Sequence, residues 1–365
     1  VRTHSKLTIT GVLGAVAAAL VLGAGPASAD PAANTYPTLA GTGSDTTQFV
    51  LDGLGDVIPA IGSYDALVPS TGLPGGLIQT RANGVQFNRP NGSGAGLKAL
   101  TASINPTGTY TQPKTVGGVT TQVSITGQLD FARSSSTPSV AGTQLTFIPF
   151  GKDAVSYAYS NTGASSVPAA LSAAQLASIY DGTLTTYVAG GQTRTYKPLL
   201  PQANSGTRAF FLKSLGLVEA DVAWITAPTV QENSGLELDG IGEIAPFSVA
   251  SYIAQTNTST TGVPNTIVDN EVKIGSIISG STVYPAVGTD GKLNPSFPVA
   301  HTRSVYNVVE TARLLGGAKA DTTLINTFQG SGSAVCSAGA TISAYGFGTI
   351  ADCGAVTLTG GYVTP

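Results

Sequence analysis

Gly41-Thr42-Gly43-Ser44-Asp45-Thr46-Thr47 is a glycine-rich turn stocked with helix-capping side chains, and Phe49, Val50, Leu54, Val57 and Ile58 follow it at helical spacing. The stretch predicts a loop that feeds straight into a helix. It is not a dinucleotide fingerprint, because the third glycine is missing. The same design recurs twice. Asn91-Gly92-Ser93-Gly94-Ala95-Gly96 precedes Leu97, Leu100 and Ile104, and Asn204-Ser205-Gly206-Thr207 precedes Phe211 and Leu215, with Gly216 as the stop. Each helix start offers N–H groups without helical acceptors and the positive end of a dipole. Taken singly, each turn is an ordinary cap; three that face one another would make a directional anion site.

Between these turns the chain alternates strand and helix. Val85 to Asn88, Thr146 to Pro149 and Ala154 to Tyr159 read as strands, and Ser172 opens a helix through Leu176, Ile179 and Tyr180 that stops at Gly182. Asp30 to Pro37 reads as a short linker, and Asn105 to Gln128, rich in Thr, Gly and Pro, as a surface excursion with strand character. This alternation predicts an α/β protein with largely parallel sheets.

Composition narrows the function. The 365 residues hold 17 Lys+Arg against 20 Asp+Glu, and only 10% are charged. No basic surplus exists to grip a nucleic-acid backbone. Arg2 and Lys6 precede a small-apolar stretch from Leu7 to Gly25, and Ala27-Ser28-Ala29 supplies a small-x-small cleavage pattern. Residues 1–29 therefore read as a signal peptide cleaved after Ala29, and the protein as secreted, without a transmembrane segment in the mature chain. No Cys stands at the cleavage point to accept a lipid. Export favours a disulfide between Cys336 and Cys353, the two cysteines of the chain. His301 is the one imidazole left after cleavage, so two-histidine zinc motifs are excluded, and no G-x-S-x-G elbow accompanies it. His301 reads as leading into a strand over Val305 to Val309, and neither catalytic residues, cofactor nor metal are expected.

In order along the chain, Gly41-Thr42-Gly43, Gly92-Ser93 with Gly96-Leu97-Lys98, Asp130-Phe131-Ala132, Leu176 to Gly182, and Ser205-Gly206-Thr207 resemble the phosphate-binding solute receptors of phosphate-specific ABC transporters. That resemblance implies a two-lobed type II periplasmic-binding-protein fold with two hinge crossovers, near Gly151 and Ala245. Lobe one would comprise residues 37–150 and 247–365, the latter carrying the disulfide, and lobe two residues 151–246. It also implies a ligand set. Ser93, Ser205, Gly206 and Thr207 match the family's oxyanion ligands. Three positions depart: the first-loop threonine aligns with Asp45, beside Thr46; an aspartate that accepts the phosphate proton aligns with Ser135; and an arginine aligns with Pro201. Arg133 and Arg208 lie near enough in sequence to replace that charge, and Asp45 is open to two roles, ligand or helix N-cap.

The expected function is a monomeric secreted receptor that holds a small oxyanion, phosphate foremost, at helix N-termini between two lobes and delivers it to an ABC permease. The alternatives are an extracellular anion-binding or surface protein without a transporter, and a phosphoester hydrolase on the same fold.

Overall fold

The structure is a computed structural model and describes residues 30–105, 109–114, 120–267 and 271–364. The expected signal peptide lies outside these residues. The elements that position the site are β1 (Leu39–Gly43), α1 (Gln48–Val57), β2 (Ile61–Ser63), α2 (Ser93–Ile104), β3 (Phe131–Ser134), β4 (Leu145–Ser160), α3 (Ala173–Tyr180), β5 (Lys197–Pro198), α4 (Gly206–Ser214), β6 (Glu243–Ser248), α5 (Val249–Thr256) and β7 (Thr302–Glu310).

Among the described residues the largest sheet has nine strands, ordered β5-β6-β4-β7-β3-β1-β2, with Val272–Ile274 and Thr359–Gly360 also pairing with β4. It is mixed rather than largely parallel. β1 runs parallel to β2 and β3, and β5 to β6, whereas β4 is antiparallel to β7 and β6, and β7 to β3. The two strands expected at Thr146 to Pro149 and Ala154 to Tyr159 are one 16-residue strand, buried throughout except at Lys152. Gly151-Lys152-Asp153 resembles a turn in sequence. In the fold it carries a register shift against β7 between Pro149 and Gly151, and the strand runs on.

Two lobes share this sheet. In one, Leu39, Val50, Leu51, Leu54 and Phe131 pack with Val305, Val309 and Phe328, and a companion cluster on the sheet's other face contains Leu97, Leu100, Phe147 and Val308. In the other, Tyr157, Tyr180, Phe211 and Ile244 form the core. Ile277, Ala286, Leu293 and Phe297 belong to that second core as well, so the chain stays beside it well past residue 247, further than the expected boundary.

Local readings match where the signal is local. Ser172 caps α3 in a reciprocal capping box with Gln175, and Gly182 lies in left-handed backbone just past its end. In the Asn105 to Gln128 excursion, Thr109–Lys114 pairs antiparallel with Thr120–Ser124; residues 106–108 and 115–119 lie outside the described residues. The stretch from Asp30 is anchored rather than a bare linker, since Arg89 donates to both carboxylate oxygens of Asp30 at 2.7 and 2.6 Å. Cys336 and Cys353 are bonded. They join α-helical residues to the C-terminal loop of the first lobe.

Candidate functional site

The first turn leaves the end of β1 and enters α1 through a single 3-10 turn at Asp45–Thr47. Gly92 N–H donates to Gly43 O at 3.1 Å, which sets the start of α2 beside that turn. Ser135, just past β3, closes the group: its N–H donates to Ser93 Oγ at 3.0 Å, and its own hydroxyl lies 3.2 Å from the hydroxyls of both Ser44 and Ser93. Thr46, Ser93 and Ser135 are all buried. The parallel order of β2, β1 and β3 brings these three loops to one sheet end, where such folds place ligands.

The other lobe supplies α4. Ser205 is its N-cap, the hydroxyl accepting from Arg208 N–H at 3.0 Å, which leaves its own O–H as a donor at the cleft it lines. Gly206 and Thr207 begin the helix with N–H groups that have no helical acceptor. The approach at Gly206 is so close that a Cβ there would stand 2.4 Å from Ser135 Oγ and 2.5 Å from Ser93 Oγ. No side chain larger than hydrogen fits. Gly92 is held by the same contact: at φ +96 its Cβ would fall 2.6 Å from Asn204 O.

Thr46 and Thr207 meet across the lobes with hydroxyls 3.0 Å apart, and each is 2.7 Å from Glu232 Oε1, to which it donates. Arg303 joins them from β7. Its Nη2 donates to Thr207 Oγ1 at 2.9 Å and Thr46 Oγ1 at 3.3 Å, and Nη1 donates to Gly206 O at 3.0 Å. Asp153 on β4 fixes the guanidinium with Oδ2 at 2.8 Å from Nη2 and 3.1 Å from Nε. Asp153 in turn accepts from Ser248 Oγ and from Ala250 N–H. The pair is buried and almost fully hydrogen-bonded, the condition under which a buried ion pair holds its place.

Asp45 does not cap a helix. No side-chain cap is made at either helical start in this turn, and Asp45 Oδ1 instead accepts from Asn233 Nδ2 at 2.8 Å. Burial, and then the negative charge of Glu232, push its carboxyl well above the usual carboxylate range, against the Asn233 hydrogen bond, which pulls it down. Behind the turn lies a second charged group. Asp52 and Asp65 are buried beside Arg133; burial raises both, Asp65 to about 6, and each feels the other.

The sequence-expected residues thus separate. Thr46, Ser93, Ser135, Gly206 and Thr207 converge, with Ser205 beside Gly206 and Asp45 behind Thr46. Arg133 does not reach them: it holds the first turn from beneath, donating to Ser44 O, Ser63 Oγ and Tyr64 O. Arg208 pairs with Glu219 and donates to Pro201 O. The cation at the site is Arg303, with Glu232 and Asn233 as further members; none of these three stands out in sequence. His301 is buried against the Phe297 ring, centroids 6.3 Å apart.

Ser93, Ser135, Ser205, Gly206 and Arg303 line an interlobe cleft of about 570 Å³. Gln202 Nε2 donates to Asn91 Oδ1 at 3.0 Å, a further bond from the segment before α4 to the one before α2. No helix among the described residues is long and apolar enough to cross a membrane.

A family model described as "PBP superfamily domain" matches residues 28–322. No curated protein matches the chain. Among solved structures, similar chains include an ABC-type phosphate transport receptor from Vibrio cholerae, at 17% identity over 86% of this chain and 100% of that one, TM-score 0.49. A putative phosphate ABC transporter substrate-binding protein with bound phosphate from Clostridium perfringens shows 13% identity over 86% and 99%, TM-score 0.49. A human phosphate binding apolipoprotein shows 14% over 85% and 90%, TM-score 0.49.

Proposed function

The chain belongs to the PBP superfamily, and from that premise we propose that it is a binding protein whose two lobes close on a small oxyanion, phosphate foremost, and that it delivers this ligand to an ABC importer outside the cytoplasm. One observation carries the reading. Hydroxyls from both lobes (Thr46, Ser93 and Ser135 from one, Thr207 from the other) meet at the first turn of α4 beside the buried Arg303 guanidinium. Hydrogen-bond donors, a helix dipole and a fixed cation in a site screened from water are what an oxyanion requires.

The preference for phosphate rests on Glu232, with Asp45 beside it. Both carboxyl groups stand within hydrogen-bonding distance of the groups that hold Thr46 in place. The negative charge of Glu232 behind the donors, with the Asp45 carboxyl pushed towards its neutral form beside it, opposes a fully ionised ligand more than one that keeps a proton. At neutral pH phosphate keeps at least one proton and sulfate keeps none. Ser135, where the resembling receptors carry the acceptor aspartate, adds a hydroxyl that accepts or donates equally well.

Calorimetric titration of the chain from Asp30 onward with phosphate and with sulfate tests this. Phosphate binding at least tenfold tighter than sulfate is expected, about 1.4 kcal/mol. Equal affinity would remove the preference, and binding of neither would end the oxyanion reading. The function is binding without turnover, so the same protein should release no phosphate from a phosphomonoester.

A further inference from the structure

The interlobe cleft is far larger than an inorganic oxyanion needs. At about 30 Å³ per water-sized group, a five-atom oxyanion fills on the order of 100 Å³. The cleft measures about 570 Å³, inside the range of about 300–1,000 Å³ that small organic ligands occupy. Its lining is chemically mixed. Ser93, Ser135, Ser205, Gly206 and Arg303 give it a polar, cationic part, and Leu97, Pro138, Ala209, Phe210 and Tyr306 an apolar, partly aromatic one.

Helix α4 arranges this gradient. Gly206, Ala209, Phe210 and Lys213 all line the cleft, at the three- and four-residue spacing of one helix face. The stripe starts at the anion end, crosses the apolar wall and finishes about 10 Å further along, at the 1.5 Å rise per residue, on a second cation, Lys213. The lining includes these two cations and no Asp or Glu, in a chain whose acidic residues outnumber its basic ones. The Arg303 guanidinium also lies 5.4 Å from the Phe210 ring centroid, which ties the aromatic wall to the charged end.

We propose that the cleft binds a phosphoryl or phosphonyl anion carried on a flat organic group, the charged head at Ser93, Ser135, Gly206 and Arg303 and the ring along Phe210 and Tyr306. This rests on the oxyanion reading above and specifies its ligand class. A flat ring buries apolar area against the aromatic wall that free phosphate leaves unused.

Titrations of the mature chain with inorganic phosphate, methylphosphonate and phenylphosphonate separate the sources of the head group. Phenylphosphonate should bind at least tenfold more tightly than methylphosphonate. In Phe210→Ala that ratio should fall to about threefold or less. Ala209→Trp, at an exposed position where folding is not at stake, should lower phenylphosphonate affinity at least tenfold by filling the cleft. Phosphate binding with phenylphosphonate no tighter than methylphosphonate would overturn the organic ligand class and leave the oxyanion reading intact. Failure of all three ligands to bind would overturn both.

Discussion

Arg303 and Asp153 are register partners across the antiparallel pair of β7 and β4, and their side chains form the buried ion pair that presents a guanidinium to Thr46 and Thr207. Removing the cation leaves Asp153 buried with only Ser248 Oγ and Ala250 N–H as donors. Arg303→Met should therefore destabilise the protein by about 3 kcal/mol and lower phosphate affinity by roughly a hundredfold or more, about 2.7 kcal/mol. Thermal melts paired with calorimetric titration check both. Retained affinity in a folded variant would place the anion away from Arg303.

Gly206→Ala tests the close approach of the lobes. Alanine is a better helix residue than glycine, so α4 itself should gain. Its Cβ, however, collides with Ser135 Oγ and Ser93 Oγ, so the lobes cannot meet as they do in the native chain. The expected result is a variant of undiminished melting temperature, a larger radius of gyration by solution scattering, and phosphate affinity down by roughly tenfold or more, about 1.4 kcal/mol. An unchanged scattering profile and affinity would refute it.

Ser205 and Thr207, two residues apart, should differ in what their loss costs. Ser205→Ala removes a helix cap and should cost about 1 kcal/mol of stability. Thr207→Val removes a hydroxyl that bridges Thr46, Glu232 and Arg303, and should weaken phosphate by about 1.5–3 kcal/mol. Comparing melting and binding in the two variants decides the matter; a Thr207→Val protein that binds like the parent would exclude that hydroxyl from the site.

Acid should stabilise this protein over part of its range. Asp65 is pushed by burial from 3.8 to about 6, and burial raises Asp45 and Asp52 as well, so the folded state holds protons that the unfolded chain has released. Stability from these groups is full below the unfolded value and falls as pH rises through the folded ones. The melting temperature should drop between pH 5 and pH 7.5, with Asp65 contributing of order 1–3 kcal/mol. Asp52→Asn should flatten that slope. A melting temperature that rises over this interval in the parent would show that these carboxylates are not the controlling groups.

The Cys336–Cys353 bridge closes a loop of 17 residues, for which the chain-entropy model gives about 3 kcal/mol. A double Cys→Ser variant should melt lower by that amount and bind phosphate as the parent does, since neither cysteine lines the cleft. An unaltered melting curve would remove the bridge from the stability of the fold.

What the sequence made legible was what neighbours in the chain decide. Ser172 with Gln175 and Gly182, or Ser205 with Gly216, mark helix ends because cap chemistry acts within a few residues. The three glycine turns were readable for the same reason, and with them Thr46, Ser93, Gly206 and Thr207, whereas Ser135 came only through the resemblance. Arg303 and Glu232 were not. The partner that gives Arg303 its orientation is 150 residues away, and Glu232 matters because Thr46, 186 residues earlier, folds onto it. Strand direction escaped likewise. Parallel or antiparallel pairing is settled by which strands β4 and β7 meet, and the glycine at position 151 looks like a break when read without the neighbour whose pairing resumes beyond it.

β4 passes without interruption from one core to the other, paired with β7 through Ala154 and with β6 from Val155. A connection of that kind is a torsion bar rather than a swivel. Swinging the lobes apart must wind or unwind a hydrogen-bonded ribbon, and the register slip between Pro149 and Gly151 is the point where the ribbon yields with least loss of pairing. The angular travel of the lobes is then bounded by the sheet itself, and the restoring torque acts on every opening, with or without an anion in the cleft.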